Sequence, residues 1–210
     1  MPDATRATHA DPAVERLWTG ATVITFVRTI ASFALCLVGL WHEDLTWLVV
    51  GLGVYWVGDM ADGGYARLRD CETRIGGVLD IMCDRINCAA FYIGLAWLEP
   101  EMVLPVSVYL FNFMVIDMFL SMAFLAWPIR SPNYFYLVDR RIYVWNWSKP
   151  AKAVNSSLFA VLLLVTGWWW LGLAIALALV VLKCVSLRWL LQLGLPLPER
   201  QPQPTHQTAG

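Results

Sequence analysis

Charged residues cut the chain into long apolar runs at 19–41, 46–69, 76–98, 101–128, 152–170 and 171–193. Each approaches the roughly 20 residues that a helix needs to cross a hydrocarbon core of about 30 Å. The pattern predicts an all-α, polytopic membrane protein with six transmembrane helices. The last two runs meet at Gly167 and the cluster Trp168, Trp169 and Trp170, where a tight turn and an aromatic anchor at the membrane-water interface are expected. Residues 1–18 mix acids and bases ahead of the first run. No small-residue cleavage pattern follows that run, so it is expected to stay in the protein. The polar, Pro- and Gln-rich stretch 195–210 is expected to be a disordered cytoplasmic tail, leaving 19–194 as one membrane domain.

Composition agrees with the pattern: 59% of the 210 residues are hydrophobic and 15% charged, too apolar a balance for a soluble domain of this size. The net charge of −1 hides an asymmetry. No Lys or Arg follows the first, third and fifth runs, whereas Arg67, Arg69 and Arg74 crowd one alternate segment and Arg130, Arg140, Arg141, Lys149 and Lys152 the other. The positive-inside rule then places both termini and these basic segments in the cytoplasm. Nothing in the charge points to nucleic acid as a partner. The five cysteines form no C-x-x-C pair and lie in the runs or on the cytoplasmic side, which argues against disulfides and zinc. His9, His42 and His206 all fall outside the runs, which excludes a Ser-His-Asp site and a covalent phosphohistidine within the membrane.

The stretch 59–84, DMADGGYARLRDCETRIGGVLDIMCD, sets four carboxylates inside apolar runs. Each costs about 2.5–3.5 kcal/mol on insertion scales at the bilayer centre, so such acids mark functional candidates. Asp59 and Asp62 are three apart and Asp80 and Asp84 four apart, so each pair shares a helix face. With a turn centred near Glu72, an antiparallel hairpin brings all four to similar depth. Clustered carboxylates must hold protons or bind cations. An all-oxygen set suits Mg²⁺ or Mn²⁺, and a two-metal site is the usual device for displacement at phosphorus. Gly63, Gly64, Gly76 and Gly77 remove side chains where a ligand or facing backbone must approach, and Arg67 is placed to meet a diphosphate oxygen near the cytoplasmic mouth.

This stretch resembles the signature of the CDP-alcohol phosphotransferase family, D-x-x-D-G-x-x-A-R, eight residues, then G-x-x-x-D-x-x-x-D. Asp59, Asp62, Gly63, Ala66, Arg67, Gly76, Asp80 and Asp84 fill every fixed position at the family's spacing. The resemblance implies that Asp59, Asp62 and Asp80 bind the metals with Asp84 beside them, and that Asp84 is the general base. It further implies that Gly63, Ala66, Arg67 and Gly76 line the pocket for the CDP donor. It implies six membrane helices, frequent homodimers, and transfer of a phosphatidyl group from CDP-diacylglycerol to a small hydroxylated acceptor with release of CMP. A bacterial cell membrane, with the active site facing the cytoplasm, is the expected location.

Other residues carry weaker signals. Thr22, Thr25 and Arg28 resemble the family's N-x-x-T-x-x-R segment, with Thr22 in the usual Asn place. Arg28 either approaches the donor phosphates with Thr25 or pairs with a neighbouring acid. Lys149 and Lys152, where the family often has a Lys-rich entry to its fifth helix, are candidates for gripping an acceptor phosphate, as are Arg140, Arg141 and Arg188. Arg130 reads as positive-inside charge alone. Asp117, with Asn112 in the same run, fits helix pairing or a dimer contact better than catalysis. The segment GGVLDIMCDRINC is more similar to the phosphatidylinositol-phosphate synthase branch, with its LD-x-x-x-DR pattern, than to the phosphatidylglycerophosphate branch. Inositol phosphate and glycerol 3-phosphate both stay open as acceptors. The alternative is an intramembrane cation transporter that uses the acidic hairpin, although a cation path gains nothing from Arg67 at its mouth.

Overall fold

A computed structural model describes residues 8–194 and 196, and these fold as helices joined by short connections. The expected tail, and the first seven residues of the expected N-terminal segment, lie outside the described residues apart from Pro196. Helix α1 runs Gly20–His42, α2 Leu45–Leu68, α3 Arg74–Leu98 and α4 Pro100–Ala126. A short helix α5, Arg140–Asn146, precedes α6 at 149–166 and α7 at Trp169–Leu193.

The polar punctuation explains where the helices start. The side chains of Thr19, Asp44 and Thr73 accept hydrogen bonds from the backbone N–H groups of Thr22, Thr46 and Gly76, capping α1, α2 and α3. Between α6 and α7 the chain turns at Gly167, whose φ of 64° suits a residue without a side chain, and Trp168 stacks on Trp170 beside it.

Among the described residues four helices, α1, α3, α4 and α7, are long and apolar enough to cross a membrane. The other two expected spans, α2 and α6, fall short of that measure for two physical reasons. Helix α2 has 24 residues, about 36 Å of rise, but its acid pair and glycines dilute its apolar content. Helix α6 is distorted into a π segment at Ala153–Ser157 just after Lys149 and Lys152, leaving only Leu158–Thr166 as a regular apolar stretch.

Helix α1 packs along both α2 and α3, and α4 packs along α7. The first three helices approach closely: Leu48 of α2 wedges between Gly39 of α1 and Gly94 of α3. One apolar core includes Leu52, Phe91, Tyr92, Tyr109, Phe159 and Leu163, with Tyr109 stacked on Phe159 at 4.2 Å. A second gathers Leu120, Phe124, Phe135, Ile142 and Trp147 around α5. Large apolar side chains such as Val27, Ile30, Trp41 and Val165 point outward, while Thr22, Thr25, Arg28, Thr29 and Ser32 of α1 are buried. This arrangement, apolar outside and polar within, is that of an integral membrane protein.

The ends of α2 and α3 are tied to their surroundings. Glu15 accepts from the backbone N–H groups of Arg74 and Ile75, and the Arg74 side chain donates to the carbonyls of Leu125 and Trp127. Ser131 and Tyr134 both donate to Glu72, in the turn between α2 and α3. Arg130, read from sequence as positive-inside charge alone, is buried, donating to the carbonyl of His9 and pairing with Asp70.

Candidate functional site

The hairpin of α2 and α3 brings the four acids together as their spacing requires. One carboxylate oxygen from each of Asp59, Asp62 and Asp80 lies within 4.8 Å of the others, a set of hard oxygen donors close enough to share a divalent cation. The side chain of Asp62 is 4% exposed, whereas those of Asp59 and Asp80 are 44% and 41% exposed, so the cluster is closed at Asp62 and open at the other two.

Arg28 reaches into the centre of this cluster from α1. Its Nε donates to Asp62 at 2.7 Å, and one terminal nitrogen contacts Asp80 at 2.6 Å, Asp84 at 2.9 Å and Asp59 at 3.4 Å. Thr25 also donates to the Asp62 oxygen that Nε contacts, at 2.7 Å. Of the two roles open for Arg28 from sequence, pairing with acids is the one seen here. Gly58 makes this possible: a Cβ there would come within 2.5 Å of the Arg28 side chain. Four carboxylates around one guanidinium leave formal negative charge in excess, so the donor set fits further cations.

The remaining signature residues surround the cluster. The guanidinium of exposed Arg67 folds back over Gly63, one helical turn earlier, and stands within electrostatic reach of Asp59. Gly76 sits in the first turn of α3 over the Thr73 hydroxyl, and Ala66 is half-buried on α2. A cavity of about 410 Å³ near these turns is lined by Arg16, Trp18, Tyr65, Arg69 and Thr73 among others. An apolar groove of about 550 Å³, lined by Ile24, Val27, Val54 and Val57, runs between α1 and α2 beside Arg28 and Gly58.

The basic candidates divide. Lys152 donates to Asn133 at 2.7 Å and stands within electrostatic reach of Asp59 and Asp80, so it faces the acidic cluster. Lys149, Arg140 and Arg188 are exposed. Arg141 is engaged with Asp139 at 3.0 Å and stacks over Trp189.

A second buried polar network lies on the other side of α3. Asp117 on α4 pairs with Arg85 on α3 and Lys183 on α7, both at 2.6 Å. Lys183 also donates to Asn146 on α5, which donates in turn to Ser186. Arg85 stacks over Phe113, inside the π segment Asn112–Ile116 that precedes Asp117. Helix pairing, expected for Asp117, is what its contacts show. Sequence reasoning missed Arg85 and Lys183, although a lone Lys in the middle of the last apolar run was a visible signal.

The family described as CDP-alcohol phosphatidyltransferase matches residues 18–183. Proteins named phosphatidylinositol phosphate synthase are similar over shorter stretches. That of Mycobacteroides abscessus is 36% identical over 74 residues, 35% of this chain and 34% of the relative. That of Mycobacterium bovis is 41% identical over 78 residues, 36% and 35%. That of Corynebacterium glutamicum is 38% identical over 64 residues, 30% and 28%. The chain thus spans about a third of the length of the curated relatives it matches. No solved structure matches it. With the match running from the start of α1 into α7 and enclosing the whole acidic hairpin, the chain belongs to the CDP-alcohol phosphatidyltransferase family.

Proposed function

We propose that the protein transfers the phosphatidyl group of CDP-diacylglycerol to a small hydroxylated acceptor that itself carries a phosphate, releasing CMP. The observation that carries this reading is the convergence of the signature acids Asp59, Asp62 and Asp80 within 4.8 Å, with Asp84 held alongside by Arg28. Inositol phosphate is favoured over glycerol 3-phosphate by the names of the bacterial relatives.

Asp59, Asp62, Asp80 and Asp84 would hold Mg²⁺ or Mn²⁺ as a two-metal site. Bound there, the ions supply charge neutralisation for the donor diphosphate and for the oxygens that attack and leave. Asp84 accepts the proton of the acceptor's hydroxyl. That oxygen forms a bond to the phosphatidyl phosphorus, and the bond from phosphorus to the CMP oxygen breaks, with CMP leaving as the phosphate anion. Gly63, Ala66 and Gly76 line the donor pocket, while Arg67, with Thr25 and Arg28, positions the diphosphate. The apolar groove between α1 and α2 suits the donor's acyl chains. Lys152, facing the cluster, is the leading residue for the acceptor phosphate; Lys149, Arg140, Arg141 and Arg188 complete the basic surround.

The same reading has six helices in a bacterial cell membrane, a catalytic domain at 19–194, both termini and the site facing the cytoplasm, and a homodimer. A cation path is disfavoured by the guanidinium of Arg28 standing among the carboxylates. The test is CMP release by purified protein given CDP-diacylglycerol and Mg²⁺, with inositol phosphate, glycerol 3-phosphate, inositol or serine supplied in turn. Acceptor-dependent release that disappears in Asp84→Asn supports the proposal. A folded protein that binds metal and releases no CMP with any acceptor refutes it.

A further inference from the structure

We propose that Arg28 is an internal competitor for the metal ligands, and that divalent cation binding hands its guanidinium from the carboxylates to the donor diphosphate. This rests on the metal-assisted transfer just described. Arg28 is 3% exposed, and two of its nitrogens contact oxygens of all four acids, including Asp62 Oδ2 and Asp80 Oδ1. Asp59, Asp62 and Asp80 are also the residues whose oxygens converge closely enough to hold a cation. A divalent ion and the guanidinium therefore draw on the same carboxylates. Each weakens the other's hold, by mutual repulsion and by competition for the same carboxylates.

The stem of Arg28 is confined, and this limits how far its head can move. Its side chain lies against Gly58, and the guanidinium sits over the Tyr55 ring at 5.4 Å, so it cannot withdraw far from the cluster. The other terminal nitrogen, Nη1, is buried with no hydrogen-bond partner. A planar guanidinium displaced from the carboxylates thus keeps several donors close to the metals, the geometry that oxygens of a diphosphate satisfy best. Arg28 becomes a positioning residue that couples the order of events: divalent cation first, donor diphosphate second. It also spares the cluster the cost of unneutralised carboxylates before the cation arrives.

The test uses full-length protein in detergent and two probes, Mn²⁺ alone and CDP. Mn²⁺ affinity is read by electron paramagnetic resonance and CDP affinity by calorimetry with and without Mn²⁺, for the unmodified protein, Arg28→Lys and Arg28→Met. The expected result is a pair of opposite shifts. Arg28→Met binds Mn²⁺ about tenfold tighter or more, as one competing charge at contact distance implies, yet binds CDP in the presence of Mn²⁺ about tenfold more weakly. Arg28→Lys falls between the two on both readouts. A merely structural Arg28 would weaken both ligands together, and that result overturns the proposal, as does unchanged Mn²⁺ affinity. Absence of saturable Mn²⁺ binding by the unmodified protein defeats the metal reading itself and this inference with it. Should Arg28→Met fail to fold, nitrogen-15 arginine spectra of the unmodified protein decide: the Arg28 side-chain signal, identified by its loss in Arg28→Lys, must shift on addition of Mg²⁺, and an unmoved signal overturns the exchange.

Discussion

Asp117 is the single acid in a buried network with two cations, and that imbalance makes its removal and the removal of Lys183 unequal. The side chains of Arg85, Asp117 and Lys183 are 7%, 13% and 3% exposed. Asp117→Asn leaves two cations facing each other without an anion. Breaking a buried ion pair by deleting one partner costs about 3–5 kcal/mol, and here one deletion strands both partners. Lys183→Met keeps the Arg85–Asp117 pair intact and fills similar volume. It loses the hydrogen bond to Asn146 at 2.8 Å and the contact with Asp117 at 2.6 Å, but Asp117 keeps Arg85 as its counter-charge, so the cost is about 1–2 kcal/mol. The double variant strands only Arg85, so it is expected to cost no more than Asp117→Asn alone, with a coupling at least as large as the Lys183→Met loss, about 1–2 kcal/mol. Reversible unfolding in mixed detergent, followed by tryptophan fluorescence, measures all three. Equal losses for the two single variants, or losses that simply add in the double, would refute the charge-count argument.

Three further outcomes follow from the packing and the caps. Gly58→Ala forces a Cβ into the Arg28 stem at 2.5 Å, so it should lose about 1–3 kcal/mol and most CMP release, while Gly53→Ala, with nothing within 4 Å, should leave stability unchanged. Asp139 lies outside the long helices and caps α5. Burial raises its pKa, but the hydrogen bond from the Arg141 side chain and those from the Ile142 and Arg141 backbone outweigh it, and the carboxyl ends below its usual value. A lowered folded-state pKa adds stability that is complete above the unfolded value of about 3.9 and is lost as pH falls through the folded one. Acid unfolding should therefore lose that increment in native protein and not in Asp139→Asn, and Asp139→Ala should cost about 1 kcal/mol at neutral pH. Glu15→Ala frees the backbone N–H groups of Arg74 and Ile75 at the start of α3, and hydrogen exchange there should quicken without loss of global fold.

Much of this was legible because the membrane makes polar residues conspicuous. The periods of three and four in the acidic hairpin put four carboxylates on facing sides of α2 and α3, and the depth argument from a turn near Glu72 met the observed convergence. Helix limits shifted by a few residues because caps such as Thr19, Asp44 and Thr73 set the starts, not the first apolar residue. Three-dimensional partnerships were not legible: that Arg28 enters the acidic cluster depends on Gly58 lying opposite, and that Arg130 is buried depends on the backbone of residues 8–10 crossing it. Pairing of Arg28 with a neighbouring acid was one of two roles the sequence left open; which acids it meets, and the burial of Arg130, have no local signal.

Asp84 and Arg85 are consecutive on α3, and successive residues on a helix point about 100° apart. One faces a cluster with negative charge in excess, the other a network with positive charge in excess. Helix α3 therefore acts as a partition whose rotation is fixed from both sides. Turning it one way would carry Asp84 away from Arg28, and turning it the other way would drag Arg85 off Asp117. Under the proposed reaction, the Asp117 network need not touch a substrate to matter. By anchoring Arg85 it sets the angle at which Asp80 and Asp84 meet Asp59 and Asp62, and a change of even a fraction of an ångström there alters which oxygens a cation or a hydroxyl proton can reach. An intramembrane charge network thus bears on the geometry of the acidic cluster one residue away.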